Sequence, residues 1–402
     1  VRLLLYTGKG GVGKTTTAAA TAALAARRGL RTLVLSADAA HSLGDVLDCA
    51  LTPSPRQVAP RLDAVEIDAR HEIAQHWGRV RAYLVDLLRY QGVDEVVAEE
   101  LALLPGADEL ATLVAVQEWS MRGAYDLIVV DCAPTGSTLR LLTLPEVAHA
   151  GLRWLLRLHG AAARAAEPIM QSWVGVPLPK AEVFAETDQL FYETLSRLRA
   201  RLLSRQTSVR LVVTPESMAI AEARRSLTDL ALFELPSDAV VMNRMLPDEA
   251  LQQDFFREWG RIQIERRREV EETFAPMATL SAPLAEDEVR GVEALADHGA
   301  ALFAGLDPAA RLGCRPGLRF ERVAEGGRLR LPVSGYAASS LEVARIDQEL
   351  MVGVAGRRRR IALPAGLAAL EVQRVAVEEG ELVVSFAEAK PAAALRPSGF
   401  AP

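Results

Sequence analysis

The sequence predicts an α/β protein: a mostly parallel sheet with helices on both faces and helical insertions, followed by a small all-β sandwich. Three observations carry this. Up to about residue 304, short apolar runs alternate with helical stretches. Those runs are apolar on both faces, the pattern of strands buried from both sides in a parallel sheet. After Gly305 the apolar period changes to two, as in antiparallel strands with one buried face. The chain has 402 residues, 50% apolar and 24% charged, which is ordinary for a globular protein and long enough for two or three domains.

The strand runs are 3–6, 32–35, 127–130, 211–213, 239–242 and a weaker 277–280. The helix over 14–28 is rich in alanine, which lets it lie close on a sheet, and Gly29 reads as its C-terminal stop. Segments 70–123 and 146–207 are too long for simple crossovers and read as helical insertions, with Leu190, Phe191, Leu195, Leu198 and Leu202 at helical spacing. Between helices, 167–184 is apolar but broken by Pro168, Gly175 and Pro177. It reads either as a mobile, partner-facing element or as a buried loop closing a helical pair.

The first domain is expected over 1–304, and Pro308, Gly313, Pro316 and Gly317 mark a linker over 305–317. The sandwich is expected over 318–387. Leu329, Leu331 and Val333 alternate with polar neighbours there, and Glu325-Gly326-Gly327 and Glu378-Glu379-Gly380 read as hairpin turns. A sandwich this small has a thin core of its own, so it is expected to dock on the first domain or to pair an edge strand with another chain. The basic run 357–360 divides between the two faces of a strand and reads as a solvated hairpin. Residues 388–402, rich in proline and alanine, are expected to be disordered.

A net charge of −6 argues against bulk binding to nucleic acid or to an anionic membrane. No apolar run reaches the roughly 18–20 residues of a membrane span, so no stable insertion is expected. The first apolar run already reads as a strand rather than a leader, and Cys49, Cys132 and Cys314 show no pairing pattern. The expectation is a cytoplasmic protein.

Gly8-Lys9-Gly10-Gly11-Val12-Gly13-Lys14-Thr15-Thr16 joins the first strand to the first helix and fits the P-loop pattern. Glycines are needed there because backbone amides must curl round phosphate oxygens with no side chain in the way. Lys14 would reach the β- and γ-phosphates of ATP, and the Thr15 hydroxyl would hold Mg2+. Only four of the 46 basic residues are lysine, and Lys9 and Lys14 both lie in this loop.

With that second lysine, the loop resembles the deviant motif of the P-loop ATPase class that includes MinD, ParA, nitrogenase iron protein and the ArsA/GET ATPases. The resemblance implies a homodimer in which Lys9 crosses to the partner's phosphates and acts as an arginine finger does. Further stretches resemble the ArsA/GET branch. Ser36-Ala37-Asp38-Ala39-Ala40-His41-Ser42-Leu43 is similar to its first switch, where the resemblance makes Asp38 the carboxylate that orients the attacking water. On sequence grounds alone Asp38 reads equally as a helix cap. Asp131-Cys132-Ala133-Pro134-Thr135-Gly136-Ser137 is similar to the second switch, with Asp131 holding Mg2+ through water. Leu104-Pro105-Gly106-Ala107-Asp108-Glu109 resembles another family stretch. Asn243 matches the position that reads adenine, and Pro283-Leu284 the second adenine-flanking loop.

The chain departs from the family pattern at Ala39, where a proline is usual, and at Ser137, where histidine is usual. The C-x-x-C pair of the eukaryotic targeting members is absent from 247–275, and the three cysteines do not resemble the arsenite-binding triad of the pump ATPase. The C-terminal strands, with Leu329-Arg330-Leu331-Pro332-Val333 and Arg360-Ile361-Ala362-Leu363-Pro364, resemble the α-crystallin (small heat-shock) domain that some members carry. The resemblance implies an ATP-driven dimeric chaperone or targeting factor for hydrophobic protein segments. Its alternative is an ATPase subunit energising a membrane anion or arsenite pump, which would bring a membrane-protein partner. A MinD- or ParA-like positioning switch fits less well, because it calls for an amphipathic C-terminal helix or a basic surface.

Overall fold

The structure is a computed structural model that describes residues 1–36, 42–67, 107–131, 196–314, 317–323, 326–333 and 335–388. Eight strands build the main sheet: β1 (Arg2–Thr7), β2 (Thr32–Ser36), β3 (Arg56–Ala59), β4 (Leu62–Glu66), β5 (Leu127–Asp131), β6 (Thr207–Val213), β7 (Ser237–Met245) and β8 (Ala278–Pro283). Their order is β3-β4-β2-β5-β1-β6-β7-β8. Every neighbouring pair is parallel except the β3–β4 hairpin at one edge. All six expected runs are strands. The β3–β4 hairpin was not expected, because a five-residue strand reading Leu-Asp-Ala-Val-Glu gives little apolar signal.

Side chains alternate along each strand, so β1 serves two cores. Leu4 and Tyr6 join a cluster with the alanines of α1 (Lys14–Arg27), with Leu43 and Leu47 of α2 (Ser42–Leu47), and with Leu295 and Phe303 of α6 (Val292–Phe303). Leu3 and Leu5 join the opposite cluster, built with α3 (Ala107–Met121), α4 (Ser217–Leu232) and α5 (Arg257–Phe274). Alanine keeps α1 thin, and α6 approaches it so closely that a Cβ on Gly299 would lie 2.5 Å from Ala20 O. Among the described residues, no helix is long and apolar enough to cross a membrane. The insertions are described only at α3 and at helical residues 196–202. Segments 167–184 and 389–402 lie outside the described residues.

Arg210 interrupts the apolar face of β6 and is fully buried. Its guanidinium donates to Asp238 Oδ1 at 3.2 Å, Tyr6 Oη at 3.2 Å, Pro308 O at 2.9 Å and Ala310 O at 2.8 Å. Burial opposes its charge, but Tyr6 and Asp238 outweigh burial and hold its pKa above the ordinary value. Arg2 shares Asp238 at 3.2 Å and donates to Ala309 O at 2.9 Å. Residues 308–310, read as linker, are thereby held against the sheet.

The C-terminal strands form two antiparallel sheets. One has β9 (Arg319–Val323), β10 (Gly326–Pro332), β14 (Glu371–Glu378) and β15 (Glu381–Ala387) in the order β14-β15-β10-β9. The other has β11 (Leu341–Ile346), β12 (Glu349–Val354) and β13 (Arg357–Ala362). Of the two docking modes expected, the described residues show docking on the first domain. β13 splits its arginines as expected, yet only Arg358 and Arg360 face solvent. Arg357 donates to Asp229 and, at 2.8 Å, to Tyr336 Oη, while Arg359 donates to Leu232 O and, at 2.5 Å, to Glu234 Oε2. Both therefore grip the end of α4.

Candidate functional site

The glycine-rich loop leaves the carboxyl end of β1, a central strand, where connections run to both halves of the sheet. Crevices at such switch points are where open α/β sheets bind ligands. Gly13 caps α1 with φ +87°, a left-handed conformation that a side chain disfavours. A Cβ there would lie 2.2 Å from Asn243 Nδ2, and one on Gly8 would lie 2.2 Å from Val212 O. These two glycines are required by the protein itself. Gly11 also takes a left-handed φ of +80°, whereas Gly10 does not, and a Cβ on either meets nothing within 4 Å. Their smallness leaves open space over exposed backbone, which fits a group that must touch the amides. The first turn of α1 carries no acidic residue, so its positive end is left for an anion.

Lys14 curls back over the loop and donates to Lys9 O at 3.2 Å. Lys9 is half-buried, and its ammonium has no hydrogen bond or ion pair among the described residues. Thr16 is half-buried beside Thr15 in the first turn. Thr15 Oγ1 donates to Asp131 Oδ2 at 2.5 Å and lies 3.2 Å from Ser42 Oγ. Asp131 ends β5 and is buried between Tyr6 and Ser36 of the flanking strands. Two hydroxyls and a carboxylate form an oxygen-only set, which suits a hard divalent cation such as Mg2+. Ser42 belongs to the stretch that resembles the first switch, but nothing in its spacing marks it as a neighbour of Thr15.

The candidate base end lies at the carboxyl ends of β7 and β8. Asn243 is buried, and its Nδ2 donates to Val12 O at 2.9 Å. One amide hydrogen therefore supports the glycine-rich loop, and the carbonyl oxygen and second hydrogen remain for a base. Pro283 is registered with Met245, and the exposed Leu284 donates its N–H to Met245 O at 2.7 Å. The structure thus brings together Gly8, Lys9, Gly10, Gly11, Val12, Gly13, Lys14, Thr15, Thr16, Asp131 and Asn243, with Pro283 and Leu284 on the adjoining strand end. Asp38, Ala39 and Ser137 lie outside the described residues.

Comparison with known proteins bears on this geometry. Residues 1–304 match the family model described as "Anion-transporting ATPase", and residues 325–386 match that of the "HSP20-like domain found in ArsA". The chain is 31% identical over 395 residues to "Putative arsenical pump-driving ATPase 1" of Aquifex aeolicus, covering 96% of this chain and 99% of the relative. It is 33% identical over 375 residues to "Putative arsenical pump-driving ATPase" of Chlorobaculum tepidum, covering 92% of each. It is 29% identical over 299 residues to "ATPase ASNA1 homolog 1" of Paramecium tetraurelia, covering 72% of this chain and 88% of the relative.

Proposed function

Because the chain belongs to the anion-transporting ATPase family with its HSP20-like C-terminal domain, we propose that it is a Mg2+-dependent ATPase that closes as a homodimer and couples closure to binding a hydrophobic protein segment. The observation that carries the reading is the pair of lysines in one loop. Lys14 folds back onto its own loop, while Lys9 has no described partner in its own chain. In a closed dimer Lys9 would meet the phosphates of the other subunit and stabilise the charge of the transition state, an effect worth about 10³–10⁵ in rate for an arginine finger.

The chain's own groups divide the remaining work. The amides of residues 10–15 and Lys14 hold the phosphate end, and Asn243, Pro283 and Leu284 hold adenine. Asp38 orients the attacking water. Thr15 directly, and Asp131 through water, would hold Mg2+, which neutralises phosphate charge when bound. The match of residues 325–386 to an HSP20-like domain supports the chaperone reading. Leu152, Trp154, Leu155, Leu156 and Trp173 of the second insertion, outside the described residues, would line the groove.

A second reading, the ATPase subunit of an anion pump, is favoured by the names of two relatives, both arsenical pump-driving ATPases. The spacing of Cys49, Cys132 and Cys314 does not resemble a metalloid-binding triad; Cys49 is half-buried, Cys314 is exposed, and Cys132 lies outside the described residues. ATPase rates measured with a transmembrane-segment peptide, with arsenite and with liposomes separate the readings. Stimulation by the peptide is expected, and stimulation by arsenite alone would replace the chaperone reading with the pump.

A further inference from the structure

We infer that residues 284–291 form a strap joining the base end of the nucleotide site to its phosphate end, with Arg290 as the positioning residue. This rests on the reading of Asn243, Pro283 and Leu284 as the base end and of Thr15 and Asp131 as the metal end. The strap starts at Leu284, tied to Met245 O, two residues beyond Asn243. It ends at Gly291, whose N–H donates to Val46 O at 2.9 Å. Just before it, Arg290 Nε donates to Asp45 O at 3.2 Å, with its guanidinium 3.9 Å from Asp48 and 3.8 Å from Glu288. Two successive strap residues thus bond two successive carbonyls at the end of α2, of which Asp45 O also accepts the Asp48 N–H at 3.3 Å. Val289 packs into the same apolar cluster as Leu43, Val46 and Leu47.

The other end of α2 carries Ser42, 3.2 Å from Thr15, and the chain enters α2 directly from the segment bearing Asp38. A six-residue helix is too short to sustain itself, so its position is set by what grips it. From β4, Glu66 Oε1 accepts the Gly44 N–H at 2.9 Å; from the base side, the strap holds the last turn. A base seated against Leu284 steadies the strap, and the strap steadies Ser42 and the start of the switch. A base that does not seat leaves α2 to Glu66 and to the packing of Leu43 and Leu47 against α1. Arg290 therefore converts recognition of adenine into alignment at the metal cluster, without touching either.

The test is steady-state hydrolysis of ATP and of inosine triphosphate, which lacks the exocyclic amine, by the full-length wild type, Arg290→Ala and Arg290→Lys. Wild type is expected to favour ATP in both kcat and KM. Arg290→Ala should lose about fivefold or more of the kcat preference, a modest coupling, while its KM preference survives. Arg290→Lys, which can still donate to Asp45 O, should recover part of it. Equal losses on both nucleotides, a change in KM alone, or an unchanged kcat preference would overturn the strap. A wild type that hydrolyses neither nucleotide sinks the ATPase reading, and one that does not discriminate sinks the base assignment. Arg290 is 48% exposed, so its replacement leaves the core intact.

Discussion

Gly13 is the residue where backbone and function meet most tightly. Alanine there must adopt φ +87° and would thrust its Cβ to 2.2 Å from Asn243 Nδ2. The left-handed conformation alone costs about 1–2 kcal/mol, so Gly13→Ala should weaken binding of a fluorescent ATP analogue roughly tenfold or more. Wild-type affinity in that titration would show that the loop adapts freely. Gly10→Ala, which meets no protein atom, should leave folding intact and weaken only nucleotide binding. Arg210 tests the packing of the same face, where its guanidinium lies over the Tyr6 and Phe303 rings. Arg210→Met removes the main partner of a buried carboxylate, and urea unfolding should show a loss of about 3 kcal/mol, near the lower end for broken buried pairs because Arg2 still holds Asp238. The glycine-rich loop could be read from sequence because its residues are consecutive. The Arg210–Asp238 pair could not: its members are 28 residues apart, and Arg210 simply made β6 look shorter than it is.

At the scale of elements, the alternation of apolar runs announced six strands of the sheet, since five of them are buried from both sides and only β8, at the edge, is partly open. The β3–β4 edge is half-polar and gave no such signal. Direction is also invisible: four consecutive arginines say nothing about which pair turns inward, and only the end of α4 makes Arg357 and Arg359 contacts rather than solvated charges. Replacing both by alanine should loosen the sandwich from α4. The measurable result is faster proteolysis near residues 305–318 with the ATPase domain still folded, and an unchanged cleavage rate would mean that other contacts hold the domain. At the start of β2, Arg31 grips Asp126 through its side chain and backbone N–H, holding that carboxyl down at about 2. A lowered folded-state pKa stabilises above the ordinary carboxyl pKa, and the gain is lost as pH falls through about 2. Both groups are exposed, so the effect is at most about 1 kcal/mol. Asp126→Asn should flatten the acid limb of thermal stability between pH 4 and 2 by that amount, and an unchanged limb would remove the pair from the account.

For the whole molecule, the two described faces of the sheet have different duties. One is sealed by α1 and α6 under the nucleotide loop, and the other carries α4 and the docked sandwich. The loop's second lysine is what turns a nucleotide site into a statement about assembly, because in the proposed dimer each subunit completes the other's site. Mixing Lys9→Ala with Asp38→Asn tests this most directly. Each variant alone should hydrolyse little ATP. In a mixed dimer the Lys9→Ala subunit keeps its own Asp38 and receives Lys9 from its partner, so one of the two sites is whole. Random equal mixing should restore about a quarter of the wild-type rate, since half of the dimers are mixed and each has one competent site. If the mixture stays as inactive as its components while a pull-down through a tag on one variant shows that the subunits have exchanged, Lys9 acts within its own chain and the shared-site account is contradicted.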